Sequence, residues 1–379
     1  MTDLRIHHVD RVVAPFGTKR ARAIRPSGLA PDSHKRYDFD TLFYQAVRCG
    51  NRVTLIAPKL LNFKKLLRKS KLKIDGQPVR NMRIICFYRH AIVHLNKAPI
   101  GDILTVEYPC GAVAETKIHS ADLDFLSGLN CQMMVSKDND LRWIHDQLRF
   151  HVARCELDAV CFIDNGSTAY SLQELGDTIR KTGLKKAVLI SMPYAWGGVN
   201  RKPMHRELYL QTSSYNLCRI MYLQQARAVV RLDADEVLSP QAPGQSVFDA
   251  AVNTRSGFVR FSGSNRFPLP DAPVPVQFSD HTLEEPTNPV AGNNWCINPK
   301  GPLGRFQWRC HNLEHNILGD FQMMKGSYFF HCLGIGTGWK HSDRASNAQD
   351  LRVDPEAERF WTQDFRPAVD AGQDYANAI

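Results

Sequence analysis

The sequence predicts an α/β protein: a mostly parallel sheet with helices on both faces, preceded by a smaller β-rich domain. Two observations carry this. From Cys131 onward, apolar runs of strand type alternate with amphipathic helical stretches at the spacing of successive βα units. Before that point the β-type runs are short, separated by Gly, Pro and Asn turns, and show no such alternation. The boundaries that follow are 1–129 for the β-rich part, 130–345 for the α/β part and 346–379 for a C-terminal helix and tail.

In the first part, Val53–Ile56, Arg83–Tyr88 and Ile103–Tyr108 read as strands. Between them, residues 60–73 place Leu60, Phe63 and Leu67 at helical spacing among Lys64, Lys65, Arg68, Lys69, Lys71 and Lys73. Such a stretch is either a solvated helix packing its leucines on the domain core or a basic amphipathic helix on an anionic membrane surface. In the second part, Met133–Ser136, Ala159–Asp164 and Ala187–Ser191 are strands. The intervening helices carry Leu141, Ile144, Leu148 and Val152, then Leu172, Leu175 and Ile179, on their inner faces. Asp138 is the expected cap of the first, and the Asn165–Thr168 turn that of the second. A longer helix over about 207–226 leads into Ala228–Leu238. Beyond residue 239 come a strand at Gly257–Phe261, a proline-rich loop over 267–290, a β-run at Ser327–Leu333, a glycine-rich turn and a polar tail from about Pro367.

The chemistry concentrates where strands end. Asp233, Asp235 and Glu236 follow an apolar strand, and strand alternation would point Asp233 and Asp235 the same way. Carboxylates so placed repel unless a cation sits among them, and oxygen ligands suit Mg2+ or Mn2+ with positions left for substrate phosphates. Asp164, at the end of an earlier strand on the same edge, is either a turn and helix cap or a contact to a ribose or base. Lys340 and Arg344, after the glycine-rich turn, would suit a diphosphate.

Composition narrows the partners. The 379 residues are 43% hydrophobic, enough for two or three packed domains, and the net charge of +10 calls for an anionic partner. No helix-turn-helix, zinc-finger or RNA-stacking pattern is present, so nucleic acid is not expected. The 10 cysteines include no Cys-x-x-Cys pair, which speaks against a zinc site or disulfide framework and for reduced thiols in the cytoplasm. The N-terminus lacks a signal-peptide core and no apolar run spans a bilayer, so any membrane contact is peripheral, on the inner face.

Taken in order, Val135–Asp140, Trp143, His151, Phe162–Ser167 and Arg231–Leu238 resemble the pattern of GT-A (Rossmann-like) glycosyltransferases, nearest to the family 2-like and family 92-like branches, over about residues 130–345. The resemblance implies a nucleotide-sugar donor of the UDP-linked kind and a divalent cation on the Asp-x-Asp. Asp164 would match the nucleoside-binding aspartate, Asp233 the ribose or metal contact, Asp235 the metal ligand and His331 the late histidine of the metal site. Lys340 and Arg344 would match the basic residues that follow. The chain departs from the pattern at Lys137-Asp138-Asn139, where Lys-Asn-Glu is common, and at His145 or Asp146, where Glu is. The implied activity is sugar transfer to a glycan or lipid-linked acceptor in cell-surface polysaccharide or glycolipid synthesis. An inverting transfer needs a general base, for which Asp280, Glu284, Glu285 and Glu314 are candidates. Two rivals remain at this level: a phosphohydrolase with Asp233 as nucleophile, and a non-enzymatic basic binding module.

Overall fold

The computed structural model describes residues 2–29, 33–198, 207–242, 244–287, 290–317, 319–338 and 350–371. A nine-stranded sheet forms the centre, and its first five strands in spatial order are Asp3–His8, Lys186–Ser191, Ala159–Asp164, Asn130–Ser136 and Ala228–Arg231. These five pair in parallel. The remaining four, Val290–Ile297, Phe258–Arg266, Met323–Cys332 and Glu236–Leu238, pair antiparallel except for one parallel pair. The sheet is therefore mixed, where the sequence predicted a mostly parallel one. The physical reason is that, among the described residues, only one α-helix, Val247–Asn253, lies between Leu238 and the last strand of this sheet, Met323–Cys332, so the repeated helical crossovers that join parallel neighbours are missing there.

Helices cover both faces. On one side, Ile144 and Leu148 of the Leu141–Arg154 helix and Leu175 and Ile179 of the Leu172–Arg180 helix pack with Met134, Phe162 and Leu189. On the other, Leu210, Tyr215 and Leu217 of the Tyr209–Cys218 helix pack with Met133, Val135 and Ile163, and the helix continues as a π-turn over Arg219–Leu223. The alternation of Met133, Met134 and Val135 between the two cores is the period of two expected of a strand buried on both faces. The caps lie slightly downstream of expectation. Asp140 caps the first helix, and Ser171 with Glu174 forms a capping box on the second.

The N-terminal region builds an eight-stranded sheet whose strands lie between Gln45 and Ser120. The first strand of the chain is not part of it: Asp3–His8 is the edge strand of the large sheet, added beside Lys186–Ser191. The basic segment is a helix only over Phe63–Lys69, followed by a strand at Lys71–Ile74. Leu60, Phe63 and Leu67 are all fully buried in the core of the eight-stranded sheet. That corrects the membrane-surface reading of this segment, because side chains already packed in a core are not available to enter an acyl layer. Among the described residues no helix is long and apolar enough to cross a membrane.

The C-terminal segment is also more than a tail. Phe360, Trp361, Phe365, Ala368 and Val369 are buried against the helical face of the large sheet. The same segment straps the proline-rich region. Trp361 Nε1 donates to His281 O at 2.8 Å, Arg266 pairs with Asp354, and Leu283–Glu284 forms a two-residue ladder with Arg352–Val353. All 10 cysteines are free thiols.

Two fully buried histidines give the fold a pH response. His151 donates from Nδ1 to Gln132 Oε1 at 2.8 Å and accepts at Nε2 from Leu238 N at 3.0 Å, so both ring nitrogens are used by the neutral form. Burial pushes its pKa down to about 3, and burial likewise lowers that of His90 to about 3. A folded-state value below the unfolded one means that the unfolded chain binds more protons between those values. This stability is therefore complete above the ordinary histidine pKa and is lost as pH falls toward 3, by up to about 1.4 kcal/mol per pH unit for each group. Urea unfolding at pH 7.5, 6 and 5 should give steadily smaller free energies; a flat profile would show that these rings are not held neutral.

Candidate functional site

Parallel strands bring their carboxyl ends to one edge, and here that edge carries Ser136, Asp164, Ser191 and Arg231. From Asn130–Ser136 the chain moves outward through Ala159–Asp164 and Lys186–Ser191, then returns to place Ala228–Arg231 on the opposite side of Asn130–Ser136. The order reverses between those two strands. A crevice forms outside the strand ends at such a switch point, and the Asp233–Glu236 segment stands at it. Asp164 lies on the second strand over, a separation of about 10 Å at the usual strand spacing.

The acidic segment is not strand. The Ala228–Arg231 strand stops before it, and Glu236 N bonds to Asp233 O at 3.2 Å to close a turn. Strand alternation does not govern Asp233 and Asp235, and the two carboxylates go to different partners. Asp233 turns back onto the buried guanidinium of Arg231. Arg231 also donates to Asn294 Oδ1 at 2.7 Å and Tyr215 Oη at 3.2 Å, and its Nη1 lies 3.4 Å from Glu236 Oε2. Glu236 accepts from Asp233 N at 2.6 Å. Burial, aided by the neighbouring Asp233 and Asp235 carboxylates, holds the Glu236 carboxyl above its ordinary value against the opposing pull of Arg231. From behind, Gln147 Nε2 donates to Asp233 O at 2.7 Å and to Glu236 O at 2.6 Å, fixing the turn to the first helix.

Asp235 faces His331, with Nε2 to Oδ2 at 3.2 Å. Strand register explains the meeting: Glu236 is opposite His331 in an antiparallel ladder, and Cys332 N bonds to Asp235 O at 2.8 Å. Asn265 lies opposite His331 in the neighbouring parallel pair. Its Nδ2 donates to Val290 O at 3.2 Å, which turns its Oδ1 toward His331 Nδ1 at 3.0 Å. Nδ1 must then carry the proton. The neutral ring accordingly presents an Nε2 lone pair to a carboxylate oxygen, two acceptors face to face, and only a proton or a metal cation between them resolves this. An N,O donor pair with room for phosphate oxygens fits Mn2+ or Mg2+. Among the described residues no cluster of three or more His, Cys, Asp or Glu side chains is arranged to hold a metal ion, so the protein side of this pair is two ligands, with Asp233 engaged by Arg231.

Asp164 is buried and serves its own turn. It accepts from Gly166 N at 3.0 Å, Ser167 N at 3.1 Å and Ser167 Oγ at 2.5 Å. Its oxygens hold the 164–167 turn on the crevice edge. Asp138 clamps the following residues, accepting from Thr168 N at 2.5 Å and Ala169 N at 2.9 Å. The glycine-rich turn after His331 reaches the same edge, where Thr337 Oγ1 donates to Lys137 O at 3.0 Å. Lys340 and Arg344 lie outside the described residues.

Three of the general-base candidates, Asp280, Glu284 and Glu314, make defined contacts. Asp280 accepts from Gln277 N at 2.7 Å within a single turn. Glu284 takes both Nε and Nη2 of Arg352, at 3.0 and 2.9 Å. Glu314 is buried, accepting from Tyr88 N at 2.9 Å with Arg309 Nε at 3.5 Å. Each of these three carboxylates fastens a turn or an ion pair in this structure.

Sequence reasoning missed Gln147, Asn265 and Asn294, and gave Arg231 and Glu236 no role. It also passed over Cys310 and His311. His311 Nδ1 donates to Asn293 O at 2.7 Å, and the ring next to Cys310 has its pKa raised by that thiol. Burial opposes ionisation of Cys310, yet Arg231 and His311 together bring its pKa down to about 7. A basic residue before an acidic strand end was the one available signal for Arg231. Gln147 and Asn294 come from segments 86 and 63 residues away from the groups they bond, and Asn265 from a separate strand.

No family model and no curated protein matches the chain. Among solved structures, it is similar to S. aureus TarS 1-349 in complex with UDP, at 12% identity and a TM-score of 0.27, over 54% of this chain and 60% of that one. This chain thus spans less than two thirds of that chain's length, and a likeness of this degree carries no argument about the site.

Proposed function

We propose that the chain is a glycosyltransferase that binds a nucleotide-sugar donor, of the UDP-linked kind, in the crevice at the strand switch point. The observation that carries this reading is the Asp235–His331–Asn265 arrangement at that crevice. A carboxylate and a tautomer-fixed imidazole converge where an α/β sheet takes its ligands, beside the backbone turn closed by Asp164. A divalent cation held by Asp235 and His331 would supply Lewis-acid stabilisation of the charge that builds on a leaving nucleoside diphosphate. Arg231 holds Asp233 and Glu236 in place, and Gln147 fixes the turn that carries them. Asp164 keeps the neighbouring turn in the shape that a nucleoside would meet. A phosphohydrolase is disfavoured because its nucleophile would be Asp233, whose carboxylate is ion-paired to a buried arginine.

The test is calorimetric titration of the protein with UDP, in Mn2+ and again in chelator, alongside a screen for Mn2+-dependent hydrolysis of nucleotide sugars. Saturable UDP binding that is lost in chelator is the expected result. Equal binding in both conditions would remove the cation from the reading. Phosphate release from a simple phosphomonoester, with no turnover of any nucleotide sugar, would replace the transferase by the hydrolase.

A further inference from the structure

The loop that follows the strand Val290–Ile297 carries a thiol surrounded by donors. Trp295 Nε1 donates to Arg309 O at 2.8 Å and to Cys310 O at 3.1 Å, while Asn216 holds the N–H and the carbonyl of Trp308 at 3.0 and 3.1 Å. The backbone of 308–310 is thereby fixed to a strand and a helix, which gives the Cys310 side chain a set place. Gln211 Nε2 donates to its sulfur at 3.4 Å and to Tyr215 Oη at 3.2 Å. Arg231 Nε donates to the same Tyr215 Oη at 3.2 Å, so the buried guanidinium belongs to the network behind the thiol. The exposed His311 ring hydrogen-bonds the Cys310 side chain. Burial and the Asp233 carboxylate oppose ionisation of the thiol, but Arg231 and His311 outweigh them and bring its pKa to about 7.

The neighbours are also oriented. His311 Nδ1 donates to Asn293 O at 2.7 Å, so Nε2 is the nitrogen of the neutral ring left to take a proton. A thiol, a ring that can take its proton and a carbonyl that orients the ring are the parts of an activated nucleophile. Beside the sulfur lies an unanswered acceptor. Gln211 is only 4% exposed, and its Oε1 is buried with no hydrogen-bond partner among the described residues. It shares a planar amide with the Nε2 that bonds the sulfur, so a hydroxyl formed on that sulfur would meet an acceptor next to it. Cys310 is half-buried, which leaves it open to a small reagent.

We propose that Cys310, with His311 as its proton partner and Gln211 as the acceptor for its product, is a peroxide-reactive modification site beside the guanidinium that holds the acidic turn. The thiolate attacks one oxygen of a hydroperoxide. An S–O bond forms as the O–O bond breaks, sulfur supplies both electrons, and the departing oxygen takes the proton of the His311 imidazolium. The product is a sulfenic acid whose hydrogen Gln211 Oε1 accepts. Two equivalents of a small thiol reverse it, the first displacing water to form a mixed disulfide and the second releasing Cys310. The site is independent of the nucleotide-sugar reading.

The chain contains its own controls, because Cys49, Cys86 and Cys110 are more exposed than Cys310. At pH 7 about half of a thiol with a pKa of about 7 is ionised, against about 3% of an ordinary one, a gain of about 16-fold. Lower basicity removes about fivefold in nucleophilicity, and a net advantage of about threefold remains. The full-length protein is treated with iodoacetamide at pH 7 and, separately, with hydrogen peroxide in the presence of dimedone, which traps sulfenic acids; each cysteine peptide is then quantified by mass spectrometry. Cys310 should be alkylated about threefold or more faster than the three exposed thiols and should be the first to yield the dimedone adduct, which dithiothreitol added before the trap abolishes. His311→Gln, a change at an exposed side chain, should slow both reactions at Cys310 by about threefold with an unchanged thermal midpoint, whereas a structural loosening would speed them. Cys310→Ser should remove the fast phase of alkylation. Labelling in the order of exposure, with Cys310 behind the three surface thiols, overturns the proposal. So does a His311→Gln variant that reacts like the parent, or a fast phase that survives in Cys310→Ser.

Discussion

Asp235→Asn is expected to reduce UDP affinity in Mn2+ to the level seen in chelator, a loss of at least about 100-fold in the cation-dependent part, with little change in the thermal midpoint. The two expectations come from different features of one side chain. Asp235 faces His331 Nε2 from a position 29% exposed, so it is not a packing element, and the amide of Asn occupies the same volume. The amide can donate to the His331 lone pair, which makes the vacant pair comfortable without a cation. What is lost is the negative charge that a hard cation requires. Asn265→Leu tests the same centre from behind. It leaves both proposed ligands in place but removes the acceptor that fixes the proton on His331 Nδ1, and changes of that kind typically cost about 10–100-fold in metal affinity. Calorimetry of Mn2+ binding reads both variants directly. Cation-dependent UDP binding that survives in Asp235→Asn would move the cation elsewhere, and Asn265→Leu matching the parent would deny Asn265 its positioning role.

Arg231→Met is expected to lower the unfolding free energy by about 3–5 kcal/mol, the range for breaking a buried ion pair from one side. Arg231 has a side chain only 2% exposed, and it stands between Asp233 and Glu236 with Asn294 and Tyr215 completing its donors. Removing it leaves Glu236, whose side chain is 10% exposed, with no guanidinium against its burial. The cost is therefore the stranded carboxylates more than a lost attraction. It follows that the double variant Arg231→Met/Glu236→Gln should be more stable than the single one, since the second change removes a charge that can no longer be solvated. Urea unfolding measures all three proteins. A loss under about 1 kcal/mol in the single variant, or a double variant less stable than the single, would mean that Arg231 does not hold this cluster together.

Much of the scaffold was legible because it is repetitive. Met133–Ser136, Ala159–Asp164 and Ala187–Ser191 are apolar on both faces, and Ile144, Leu148, Leu175 and Ile179 recur at the helical period; each is where the pattern put it. The second half of the sheet was less legible. Strands such as Val290–Ile297, after a proline-rich stretch, have no helix to announce their direction. The basic segment shows the limit of a periodic reading. Its leucines lie on one face whether that face meets a membrane or a sheet, and only the presence of the eight-stranded core decided that Leu60, Phe63 and Leu67 are buried there.

The sequence by itself determined which carboxylates stand at the sheet edge, since strand ends and turn residues are local properties of neighbouring positions. It could name Asp164, Asp233 and Asp235, but not their partners. Tertiary structure decided that Asp233 belongs to Arg231, that Asp235 belongs to His331, and that Asp280, Glu284 and Glu314 are tied up in turns and ion pairs. The physical reason is range. A helix or strand declares itself through contacts a few residues apart, whereas His331 meets Asp235 only through a ladder register set 96 positions later, and the proton on its ring depends on a third strand carrying Asn265.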